Sequence, residues 1–139
     1  MVVCLQRMTV WFILMTFVFI KHAHADPAGK EHAHKTPRGG IVQEVEGIKA
    51  EFLFDKDGQP KLYLYDRAMK ALDRADIPTK LTVKGHDGAQ YSRDLKAVKD
   101  PKEGIVYKGD PIKGLKDWDT AVVSVKIKDR WSHLRFSHH

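Results

Sequence analysis

This chain of 139 residues contains one cysteine, Cys4, and no asparagine. Cys4 lies ahead of an apolar block rather than behind it, so it is not placed to be the acylated cysteine of a lipoprotein, and no thiol follows it. Disulfides, thiolate nucleophiles and cysteine-held zinc or iron–sulfur centres are thereby excluded from the rest of the chain, whose stability must come from packing. Without asparagine there is no N-x-Ser/Thr acceptor for glycosylation. Long apolar runs are also lacking. The longest, residues 8–20 (MTVWFILMTFVFI), has 13 residues, well short of the roughly 20 that cross a bilayer as a helix. Ser92, Ser124, Ser132 and Ser137 have no nucleophile-elbow context, Gly39-Gly40 is too short to cradle a phosphate, and no carboxylate pair is marked out for acid–base work. A non-enzymatic role is the expectation.

The short apolar block has the form of an export signal. Arg7 precedes it, and Ala23-His24-Ala25 supplies the small-x-small pattern cut by signal peptidase. The expected organisation is a signal peptide over 1–25, a flexible tail over 26–38 and one domain over 39–139, with no stable membrane anchor after cleavage. An exported domain of this size without disulfides points to a bacterial periplasmic or secreted protein. The chain has 24 Lys+Arg against 18 Asp+Glu. Removing Arg7 and Lys21 with the signal leaves 22 against 18, with the lysines scattered among acids, so a solvated surface is expected and nucleic acid is not a partner. Anionic lipid headgroups or surface polysaccharide remain as the residual attraction.

From Gly39-Gly40 onward, short apolar-alternating runs are separated by turn signals every eight to twelve residues, the pattern of an all-β fold. The reading is a single antiparallel β-sandwich, immunoglobulin-like or related, of about seven strands. A three-residue loop at Lys56-Asp57-Gly58 pairs Phe52 with Leu62 and Ala50 with Leu64, keeping one face apolar. The same device at His86-Asp87-Gly88 pairs Val83 with Tyr91 and Lys80 with Asp94. The last hairpin is expected to turn at Asp129-Arg130, setting Val125 opposite Leu134, Val123 opposite Phe136, and Ala121 opposite His138. Residues 67–76 read equally as a short helix or as an extended crossover. Residues 99–118 read as a loop carrying one short strand at Ile105-Val106-Tyr107.

Histidine is the functional residue type with a pattern. His32-Ala33-His34 is an HxH pair able to chelate one ion, and His138-His139 adds two imidazoles at the other end. Imidazole without sulfur suits a divalent transition metal, Cu or Zn. His32, His34, His138 and His139 are therefore the candidate ligands, with a solvated, incidental role as the plain alternative. His86 reads as a polar loop residue and His133 as an exposed cross-strand one. Tyr63 and Tyr65 point away from Phe52 and Leu62 and form a candidate face for a protein partner or a glycan, unless a second layer covers them.

The stretch 35–66 (KTPRGGIVQEVEGIKAEFLFDKDGQPKLYLYD), followed by Lys80-Leu81-Thr82-Val83, resembles small periplasmic proteins and adaptor domains associated with heavy-metal efflux. Their pattern is a Pro-His-Gly-Gly lead-in, a Glu-bearing strand, a turn and an apolar-Tyr-x-x-Asp strand. The resemblance implies a β-sandwich and a role in metal handling or in contacting an efflux assembly or another envelope protein. Gly39, Gly40, Glu51, Tyr65 and Asp66 are its structural matches. Arg38 stands where the pattern has histidine.

Overall fold

The computed structural model describes residues 36–138, and these contain strands and no helix. The strands are β1 (Ile41–Val45), β2 (Ile48–Phe54), β3 (Pro60–Tyr65), β4 (Thr79–Gly85), β5 (Gln90–Asp100), β6 (Gly104–Lys108), β7 (Trp118–Ile127) and β8 (Arg130–Ser137). They form one antiparallel sheet in the order β1-β2-β3-β6-β5-β4-β7-β8. The all-β antiparallel sandwich read from the sequence is therefore present, with eight strands rather than seven and rolled nearly into a barrel. The signal peptide lies outside the described residues.

The added strand is β1, which pairs with β2 through the tight turn at Glu46-Gly47, where both residues have positive φ. The sheet rolls up through β5. Residues Gln90 to Leu95 pair with β4 and residues Lys96 to Asp100 pair with β6, so one strand belongs to both halves. The free edges β1 and β8 are joined by side chains: Arg130 Nη2 donates to Glu46 Oε1 at 3.1 Å and Ser132 Oγ donates to the same oxygen at 3.3 Å. Alternating residues of both halves meet inside, where Phe52, Leu62, Tyr107, Val83, Val123 and Phe136 are fully or almost fully buried. Each such side chain contributes about 1.5–3 kcal/mol on leaving water.

Two hairpin registers are as expected. Phe52 faces Leu62 and Ala50 faces Leu64, with Gly58 at φ 77° closing the loop. Val83 faces Tyr91 and Lys80 faces Asp94, with Gly88 at φ 81°. The last hairpin differs. It turns at Lys128-Asp129, both left-handed (φ 49° and 61°), and pairs Val123 with Leu134, Ala121 with Phe136 and Val125 with Ser132. The register is shifted by two residues from the expected one. A two-residue slip leaves every side chain on its own face, so the apolar pattern could not detect it.

Residues 67–76 form an extended crossover. Asp66 Oδ1 accepts from the backbone of Ala68 and Lys70, both at 2.9 Å, and caps a tight turn with Met69 at φ 62°. Farther along, Tyr107 Oη donates to Arg74 O at 2.8 Å and accepts from Ile77 N at 3.3 Å, pinning the crossover to the core.

Candidate functional site

The shifted register determines where His138 lies. Instead of facing Ala121, it follows Ser137, which pairs with Thr120, and its backbone N–H reaches Asp119 O at 3.2 Å. Its ring packs on Trp118 with centroids 5.3 Å apart and planes at 32°. Trp118 in turn rests on Phe52 and Phe54, each at 5.7 Å. One face of this surface imidazole is thus set on the aromatic end of the core.

Beside it stands Asp117, whose Oδ1 accepts the Trp118 backbone N–H at 2.9 Å. The β4–β7 pairing of Gly85 with Trp118 brings the 86–88 loop to the same rim. A Cβ at Gly85 would stand at an ordinary 3.6 Å from Asp117 O but 2.7 Å from Asp87 Oδ1, so the Asp87 side chain would have to shift. His86 Nε2 lies 3.4 Å from Asp117 Oδ2, and His138 Nδ1 lies 3.5 Å from Asp117 Oδ1. All three side chains are about half exposed. Two imidazoles from distant parts of the chain thus flank one carboxylate, one ring to each oxygen. Among the described residues, no three His, Cys, Asp or Glu side chains converge as a preformed ion cage. At the rim each imidazole approaches its own oxygen of the Asp117 carboxylate.

Of the four histidines expected from the sequence, His138 is at this rim, while His32, His34 and His139 lie outside the described residues. His86 reads from the sequence as a polar loop residue, and Asp117, flanking Trp118 with Asp119, as one of many acidic residues that nothing marks as an acid–base group. The β4–β7 pairing that unites them joins strands more than thirty residues apart, and no local pattern announces it. His133 is on the outer face as expected, with its Nδ1 2.7 Å from Ser124 Oγ. This pair sits on an exposed sheet surface.

Tyr63 and Tyr65 do not form an open face. They are 4% and 6% exposed, covered by the segment leading into β1 and by Met69 of the 67–76 crossover. Residues 36–38, placed with the tail on sequence grounds, run across them. The Glu51 carboxylate, fully buried, accepts the Arg38 and Gly40 backbone N–H groups at 3.0 and 2.9 Å through Oε1, and the Tyr65 hydroxyl at 3.1 Å through Oε2. The Arg38 guanidinium lies 5.0 Å over the Tyr63 ring and 3.9 Å from Glu103, which also accepts the Tyr63 hydroxyl at 3.0 Å. Burial, then the neighbouring Glu51 carboxylate, pushes the Tyr65 pKa up to about 12. Tyr63 is raised as well, by burial and then by its hydrogen bond to Glu103. Gly40, Glu51 and Tyr65, three residues of the resemblance to efflux-associated proteins, thus meet in one clasp that ties down the chain.

The sequence matches no protein-family profile and no curated protein. Among solved structures, it is similar to the crystal structure of a DUF4426 family protein from Pseudomonas aeruginosa PAO1, at 11% identity and a TM-score of 0.48, over 70% of this chain and 94% of that one.

Proposed function

We propose that this protein is an exported, non-enzymatic accessory that binds a divalent transition metal, Cu or Zn, at the rim formed by His86, Asp117 and His138. The observation that carries this reading is the pair of N···O separations of 3.4 and 3.5 Å. They are longer than a good hydrogen bond. They match the spacing of about 3.4 Å between neighbouring ligands, each about 2.1 Å from a tetrahedral zinc ion. The side chains are half exposed, so they are free to rotate about their χ angles and close on one ion. A set of two nitrogens and one oxygen without sulfur suits Cu(II) and Zn(II). His32, His34 and His139, which lie outside the described residues, are the other candidate imidazole donors read from the sequence. A periplasmic location and delivery to a heavy-metal efflux assembly complete the proposal.

The test is a titration with Cu(II) and Zn(II) against a competing chelator, comparing the wild type with Asp117→Asn and with His86→Ala/His138→Ala. Stoichiometric binding weakened by both variants supports the rim site. If binding is indifferent to these variants but lost in His32→Ala/His34→Ala, the ion belongs to the tail. Absence of tight binding in the wild type would favour an envelope adaptor whose histidines are incidental.

A further inference from the structure

A second surface is independent of the metal rim. The sheet half formed by the first part of β5 with β4, β7 and β8 packs one face inward through Leu81, Val83, Val123 and Leu134. Among the described residues, nothing is packed on its other face. The registers lay that face out as a grid. Lys80 stands between Asp94 and Ser124, Lys84 lies four residues farther along β4, Lys126 faces Trp131, and Val122 lies between Thr82 and Arg135. Four permanent cations therefore share the face with one carboxylate, Asp94. At its corner Trp131 is 42% exposed, the only aromatic among the exposed large hydrophobic side chains of the described residues. Lys80 Nζ is 5.5 Å from the centre of its ring, and Trp131 walls a shallow groove of about 220 Å³ shared with Pro78, Thr79, Lys80, Asp94 and Leu95.

We infer that this face binds an acidic polysaccharide, with one sugar ring against Trp131 and the carboxylate or sulfate groups of the polymer along the Lys80, Lys84, Lys126 and Arg135 positions. The charge imbalance calls for an anionic partner. An exposed indole beside a groove gives a flat apolar surface with a polar edge, suited to the C–H face of a sugar. The intervening hydroxyls of Thr82 and Ser124 match a ligand rich in hydroxyl groups. A lipid surface fits less well, because insertion needs a cluster of apolar side chains. Among the described residues Trp131 stands alone on this face, and Val98, the other exposed large hydrophobic one, lies on the part of β5 that pairs with β6.

Binding would be measured by calorimetry with polygalacturonate, with neutral dextran, and with phosphatidylglycerol vesicles. The expected result is binding to polygalacturonate alone, weakened about tenfold by Trp131→Ala, the order expected for losing one aromatic contact. Lys80→Gln/Lys84→Gln should weaken it as well and flatten its salt dependence. Both variants change surface residues and should keep the wild-type melting temperature. Polygalacturonate binding unaffected by Trp131→Ala would reduce the effect to diffuse charge attraction and overturn the site. Binding to vesicles without binding to the polymer would replace it with a lipid surface.

Discussion

Gly40 donates its backbone N–H to the buried Glu51 carboxylate at 2.9 Å, and the contact requires glycine: a Cβ would stand 2.6 Å from Phe52 O and 2.8 Å from Glu51 Cγ. Two backbone donors and one phenol satisfy a carboxylate that no water reaches, which is how a buried charge is tolerated.

Removing that acceptor should be costly. Glu51→Ala orphans the N–H groups of Arg38 and Gly40 and the Tyr65 hydroxyl, and a buried unsatisfied group costs about 1–3 kcal/mol. The expected loss is about 3 kcal/mol, measured by urea unfolding. Gly40→Ala should also destabilise by forcing the clasp apart, whereas Gly88→Ala, with nothing within 4 Å of its Cβ, would bear only the strain of φ 81°.

The clasp also predicts behaviour in alkali. The fold favours the neutral phenol of Tyr65, raising its pKa from 10.0 to about 12. The linked stability is therefore fully present below pH 10 and is lost as pH rises through about 12. Tyrosinate absorbance of Tyr65 should appear late, together with loss of the β-sheet circular dichroism signal. In Glu51→Gln it should appear at lower pH, since the carboxylate that opposes ionisation is gone.

At the rim, the stacking of His138 on Trp118 provides an optical test. In a Trp131→Phe variant of the chain beginning at Asp26, where Trp118 is the remaining tryptophan, Cu(II) binding should strongly quench its fluorescence, because the ring centroids are 5.3 Å apart. Adding His138→Ala should remove most of the quenching at equal copper concentration. Quenching that survives in that variant would place the ion elsewhere.

The final turn offers a stability gain. Lys128 and Asp129 occupy the left-handed conformations of a two-residue hairpin turn, at φ 49° and 61°. Asn-Gly is the preferred pair for that geometry. Lys128→Asn/Asp129→Gly should stabilise the protein by about 1 kcal/mol, read as a rise in denaturation midpoint. A fall would mean that the turn is not the one described.

The sequence made some of this legible and left the rest obscure for physical reasons. The loops at Lys56-Asp57-Gly58 and His86-Asp87-Gly88 fix their registers because a one-residue slip would set charged Glu51 or Lys80 among the apolar residues of the inner face. The last hairpin had no such guard, since a two-residue slip is invisible to alternation, and its turn lacks glycine. The shifted register sets His138 at Asp119 instead of Ala121 and so beside Asp117, one of many acidic residues that the sequence does not mark for any chemistry. His86 required a non-local strand pairing. The Tyr63 and Tyr65 face alternates correctly along β3, but alternation cannot reveal that the preceding chain folds back over it.

The shared strand β5 has a consequence for how the protein comes apart. Its first half is bonded to β4 and its second half to β6, with the junction between Leu95 and Lys96. Neither half of the sheet can be pulled away without tearing that strand out of the other. The chain should therefore melt in a single cooperative step, and the amide hydrogens around Leu95 should be among the last to exchange with solvent.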